Sequence, residues 1–162
     1  TQLTQYRESC KQRSAFELLA EKHHPTKTLA KNLAAVGEIK PTSFHEAHHI
    51  IPGKGRFMQA DMELCRLNLH GFGYGINDPI NGLWLRNFEP NRQDDWATPK
   101  SPTHRPLHNE NYEDWISDQF INDNLPEEIF INRLRTVKLK LKTGEHPSYI
   151  TQRGTSKTGS TA

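Results

Sequence analysis

His45-Glu46-Ala47-His48-His49-Ile50-Ile51-Pro52 is the stretch on which the rest of the chain turns. It sets two adjacent histidines in a short run that becomes apolar and stops at a proline. The run reads as a strand over about residues 46–51. In a regular strand His48 and His49 point to opposite faces, so both reach one site only where the strand ends, bends or bulges. Pro52 and the two glycines of Pro-Gly-Lys-Gly-Arg, residues 52–56, supply such an end.

Two later stretches answer it. Gly-Ile-Asn-Asp-Pro-Ile-Asn-Gly-Leu-Trp-Leu, residues 75–85, packs several turn signals before a second short strand at residues 82–86. Pairing of the two strands makes a small ribbon. Thr103 is a suitable N-cap for a helix over about residues 103–123, with Tyr112, Trp115, Ile116 and Phe120 as its buried stripe. That frame puts Pro106 at the third helical position, and it puts His104 and His108 four apart on one helix face.

These residue types suit a one-metal hydrolytic site. Neutral imidazoles ligate metals, and three protein ligands leave a position open for water and substrate. His48 is the expected third ligand beside His104 and His108. His49 is then left as general base, with a pKa near neutrality, taking a proton from water that attacks phosphorus. Three imidazoles favour one tightly held zinc or nickel ion, with magnesium or manganese as alternatives that support turnover. Asn81 is expected to tie the second strand to the segment around His49 and to fix that ring's orientation. Glu46, two residues before His48 and on its face, is a candidate acceptor for a ligand imidazole N–H. Lys54, Arg56 and Arg66 are candidate phosphate contacts.

Strand, strand, helix, with His-His on the first, Asn before the second and His on the third, resembles the ββα-metal (His-Me finger) fold of the HNH endonucleases. Ala47-His48-His49 followed by Ile-Ile-Pro, then Gly75-Ile76-Asn77, Asn81-Gly82, His104, His108 and Tyr112, resembles the AHH branch of the HNH/endonuclease VII superfamily. The His-x-x-x-His with Glu46 ahead of the His pair is also similar to the nuclease domains of DNase colicins. The resemblance covers about residues 44–116. It implies an endonuclease acting on DNA with little sequence preference, in which His48, His104 and His108 bind the metal, His49 is the base and Asn81 fixes the loop. It further implies a C-terminal toxin domain of a bacterial polymorphic toxin. Such a domain is delivered into the cytoplasm of a competitor and has a cognate immunity protein.

The flanks read as helices. The 162 residues fit one domain, and 33% apolar with 25% charged content sets the chain apart from the disordered class. Residues 6–22, 26–36, 58–69 and 126–142 carry helical patterns, with Ile129, Leu134, Val137 and Leu141 facing inward on the last. The expected architecture is α+β, a nuclease domain over residues 1–144 with its ββα core at about 44–123 between N- and C-terminal helices. Residues 145–162 read as a mobile polar tail. The net charge of +2 is uninformative, but from Arg133 onward seven Lys/Arg face one acid, Glu145, a density that suits a nucleic-acid track. Cys10 and Cys65 read as buried thiols, and His23-His24 as a helix end. There is no membrane-length apolar run and no signal-peptide pattern. The chain opens with Thr, which reads as a piece of something longer.

Three alternatives stay open. The substrate is RNA, or the chain is a non-enzymatic nucleic-acid-binding module with a structural zinc, or it is an interaction domain without metal. Cys65, His45 or His70 on the same ion as a fourth ligand would mark the structural zinc.

Overall fold

A computed structural model describes residues 1–152. The heart of the fold is a two-stranded antiparallel ribbon, β1 (His45–His49) and β2 (Gly82–Arg86). Its register pairs Glu46 with Leu85, Ala47 with Trp84, His48 with Leu83 and His49 with Gly82. Residues opposite one another share a face. One face therefore carries Glu46, His48, Leu83 and Leu85, and the other carries Ala47, His49 and Trp84.

The helices divide between these faces. α3 (Lys27–Ala35) lays Leu29 and Leu33 on Ala47 and Trp84 as a small separate core. A Cβ on Gly82, opposite His49, would stand 2.6 Å from Leu29 Cδ1, so a glycine is what lets the helix sit this close. Leu83 and Leu85 face the main core with α4 (Gln59–Gly71), α5 (Glu110–Phe120) and α6 (Glu127–Thr143). Its centre is Met62, Cys65, Leu69, Ile116, Phe120, Phe130 and Leu134, all fully buried. This is the α+β arrangement of a small ββα core wrapped by helices. No helix among the described residues is long and apolar enough to cross a membrane.

Several local readings are corrected. The first helix is two, α1 (Gln2–Lys11) and α2 (Ala15–Leu19). Ser14 and Glu17 form a reciprocal capping box that starts a new helix, with the Ser14 cap three residues past the end of the old one. The helix expected to be capped by Thr103 starts six residues later, because Asn109 Oδ1 accepts the Tyr112 amide at 2.8 Å and caps there. The Pro106 region instead forms a single 3-10 turn, Arg105–Leu107. On α6 Ile129 is exposed, and Phe130 and Ile131 face inward in its place. The tail is packed as far as it is described. Ile150 is fully buried and its carbonyl accepts from Asn109 Nδ2 at 2.6 Å. The rest of the expected mobile segment, residues 153–162, lies outside the described residues.

Cys10 and Cys65 are free and buried. The basic face of α6 is partly neutralised: Lys138 and Lys142 pair with Glu38 at 2.8 and 2.7 Å, which weakens its claim as a nucleic-acid track.

Candidate active site

β1 stops at His49 and the chain bends at Ile50 and Ile51, so two residues that start on opposite faces open into one cleft. His23, His24, His48, His49, His104 and His108 line it, six of the nine histidines in the chain.

Asn81 holds the bend. Its Oδ1 accepts from the Ile51 amide at 2.8 Å, its Nδ2 donates to the Ile51 and Ile76 carbonyls at 3.1 Å each, and its backbone carbonyl takes the Ile50 amide at 2.8 Å. The side chain is fully buried. It thus ties the start of β2 to the residues that follow His49. Its side chain makes no hydrogen bond to the His49 ring, which is held by another residue, Asn77.

The His49 side has a defined hydrogen-bond order. Asn77 Nδ2 donates to Glu21 Oε2 at 2.8 Å and to the Lys22 carbonyl at 3.0 Å. With both amide protons used, Oδ1 faces His49 Nε2 at 2.8 Å as an acceptor. Nε2 must therefore carry the proton, and Nδ1 keeps the lone pair. Burial holds His49 down to about 4, with the Asn77 bond opposing it. The ring is neutral at ordinary pH and ready to accept a proton, although its pKa lies below the expected near-neutral value.

The His48 side works out differently. Tyr112 donates its one hydroxyl proton to the Ile50 carbonyl at 2.6 Å, so His48 Nε2, at 2.9 Å from the same oxygen, is the donor to it. His48 Nδ1 is left with a lone pair. His104 Nε2 lies 3.2 Å from Glu46 Oε2, and the tautomer that places the proton on this nitrogen, beside the carboxylate, makes His104 Nδ1 a lone pair as well. The two Nδ1 atoms face each other across 3.0 Å. Neither ring protonates readily. Burial pushes His104 down to about 3, and burial with the neighbouring His104 and His108 holds His48 well below its ordinary value. Two converging lone pairs repel unless a cation lies between them, and a divalent ion satisfies both. Glu46 sits where a carboxylate orients a ligand imidazole.

His104 and His108 are brought together, but not by a helix. They flank the 3-10 turn, with ring centroids 4.5 Å apart. Among the described residues no group of three or more His, Cys, Asp or Glu side chains is already arranged to hold a metal. The donor pair that fits an ion as it stands is His48 with His104, and His108 lies beside it.

Glu113 pins the loop over the cleft. It is buried, and its carboxylate accepts the amides of Arg56, Phe57 and Met58 at 2.8, 3.1 and 2.8 Å. Those bonds offset the desolvation of the charge and cap the entry to α4 from a different helix. Gly53 makes room beside it: a Cβ there would lie 2.0 Å from His23 Cγ. Lys54 and Arg56 are exposed on this rim. Arg66 is not. It is buried, with four of its five N–H donors on the Gly53, Leu18 and Glu21 carbonyls and on His70 Nε2, so it clamps the N-terminal segment and does not face the cleft as a phosphate contact would. The candidates for a fourth metal ligand are all engaged elsewhere. Cys65 lies in the core, His45 bonds Thr42 and Thr98, and His70 bonds Arg66 and the Tyr74 carbonyl.

Sequence reasoning missed Asn77, Glu21, Tyr112 as a His48 partner, and the approach of His23-His24 to the cleft. Strand alternation was the available signal for Asn77, since it separates the surroundings of His49 from those of His48. For the others no local signal exists.

Residues 29–146 match a family model described as a nuclease family of the HNH/ENDO VII superfamily with conserved AHH. No curated protein and no solved structure matches the chain. The match spans most of the described residues and includes Ala47-His48-His49. The chain belongs to the AHH family of nucleases in the HNH/ENDO VII superfamily.

Proposed function

We propose that this nuclease is a metal-dependent endonuclease that hydrolyses phosphodiester bonds of DNA with little sequence preference. The facing Nδ1 atoms of His48 and His104, 3.0 Å apart, with His49 beside them keeping its own Nδ1 bare, are the observation that supports this most. His48 and His104 would hold one divalent ion, with His108 as third ligand; zinc and nickel suit this donor set best, and magnesium or manganese are alternatives for turnover. When bound, the ion polarises a phosphoryl oxygen and stabilises the leaving alkoxide.

The chain's own residues do the rest. His49 Nδ1 accepts the proton of the attacking water while Asn77 holds Nε2–H in place. Tyr112 and Glu46 hold His48 and His104 in the tautomers that leave Nδ1 free. Asn81 fixes the bend that brings both histidines into one cleft. Lys54 and Arg56 on the rim meet the substrate's phosphates.

The motif resemblance also supports a role as an antibacterial effector domain acting in a target cell's cytoplasm, with an immunity protein as partner. Co-purification of a cognate immunity protein, and toxicity that it relieves, are the checks on that role.

Cleavage of supercoiled plasmid with added magnesium, manganese or zinc, compared with His49→Ala, tests the catalytic reading. Cutting by the wild type and loss of about 10²- to 10⁴-fold in the variant is the expected result. A variant that cuts like the wild type removes His49 as base. Cleavage of RNA with intact plasmid makes the enzyme a ribonuclease on the same machinery.

A further inference from the structure

The His49–Asn77 contact does not end at the amide. Asn77 Nδ2 reaches Glu21, and Tyr6 donates its hydroxyl to both Glu21 oxygens at 2.9 and 3.0 Å while accepting the Asn77 amide at 3.1 Å. Tyr6, Glu21 and Lys22 all precede residue 29, where the family match starts. A segment of this chain outside the matched region therefore sets the surroundings of the base.

An asparagine amide can sit either way round, and here the two orientations have different consequences. Two acceptors, the Glu21 carboxylate and the Lys22 carbonyl, draw Nδ2 away from the histidine. With the amide reversed, Nδ2 would meet His49 Nε2, and that nitrogen would have to carry the lone pair. The imidazole proton would then move to Nδ1, the atom a base needs bare. An aspartate in place of Asn77 would keep the acceptor for His49 but bring a second carboxylate against Glu21.

We propose that Glu21 is a positioning residue of the nuclease reaction, its carboxylate fixing the sense of the Asn77 amide and, through it, the tautomer of His49. This rests on the reading of His49 as general base. The chain Glu21–Asn77–His49 works as a carboxylate-to-imidazole relay through a neutral amide, and the N-terminal helices are part of the active site.

The test uses the full chain with Glu21→Gln, Asn77→Asp, the double variant and His49→Ala. It reads kcat and KM on whichever nucleic acid the wild type cleaves, and the His49 tautomer by ¹⁵N NMR. In the wild type His49 is the Nε2–H tautomer. Glu21→Gln lowers kcat about 10- to 100-fold, with KM held within about twofold, and populates the Nδ1–H form. The double variant recovers about tenfold over Asn77→Asp, because the amide introduced by Glu21→Gln donates to the new carboxylate that still accepts from His49. An Nδ1–H tautomer in the wild type, or wild-type kcat in Glu21→Gln, overturns the proposal. Loss of activity in His49→Ala alongside an unaffected Glu21→Gln removes the relay and leaves the base. Full activity in His49→Ala removes both.

Discussion

The two faces of β1 carry the same side chain one residue apart and set it in opposite surroundings. On the His49 face each proton has a single consistent place, running from Tyr6 and Glu21 through Asn77 to Nε2. On the His48 face, with the His104 proton on the nitrogen beside Glu46, two lone pairs are aimed at each other. A saturated histidine with one bare nitrogen is suited to move a proton. A pair of histidines that share an unmet need for positive charge is suited to hold an ion. The difference comes from strand alternation, which gives neighbours in sequence different neighbours in space.

Metal removal breaks the comparison most severely. Chelation should abolish cleavage, and a divalent ion should restore it, while the His49 tautomer read by NMR stays the same in both states. Cleavage that survives exhaustive chelation would leave the His48 face without its role.

Asn81→Ala comes next, since it attacks the bend both faces share. It strands the Ile51 amide and two carbonyls in the interior, at a cost of about 2–3 kcal/mol. Urea denaturation measures this, and a loss under about 0.5 kcal/mol would show the bend to be held by something else.

Glu46→Ala touches one face only. Removing the carboxylate 3.2 Å from His104 Nε2 should weaken metal binding by about 10- to 100-fold and leave the His49 tautomer alone. Unchanged affinity would mean that Glu46 is a surface acid.

The least selective perturbation is pH, which acts on both faces together. Burial lowers His49 and His108 to about 4 and His104 to about 3, and holds His48 lower than its ordinary value. An unfolded histidine titrates near about 6.5. Below that value the unfolded chain binds more protons than the folded one, so stability falls as pH drops toward about 4. The urea midpoint of metal-free protein should decline through this window, and a flat profile would contradict the buried neutral histidines.

How much of this was legible depended on whether the signal was local. The HEAHHIIP run, the bounds of β2 and the stripe of Tyr112, Trp115, Ile116 and Phe120 were readable because alternation and helical spacing are short-range properties. The start of α5 was not, because Thr103 and Asn109 are both good caps and the 3-10 turn at Pro106 separates them. Arg66 shares the inward spacing of Met62, Cys65 and Leu69, yet its carbonyl partners lie far off in sequence. Asn77 and Asn81 are both turn asparagines by type. Which of them meets His49 is decided by tertiary packing against residues 21 and 22, which no local pattern records.

The most direct test of the division between the two faces is a calorimetric zinc titration of the wild type, His48→Ala and His49→Ala. The expected result is one site in the wild type, retained in His49→Ala and weakened by more than about 100-fold in His48→Ala. Equal binding by all three, or loss of the site in His49→Ala alone, would contradict it.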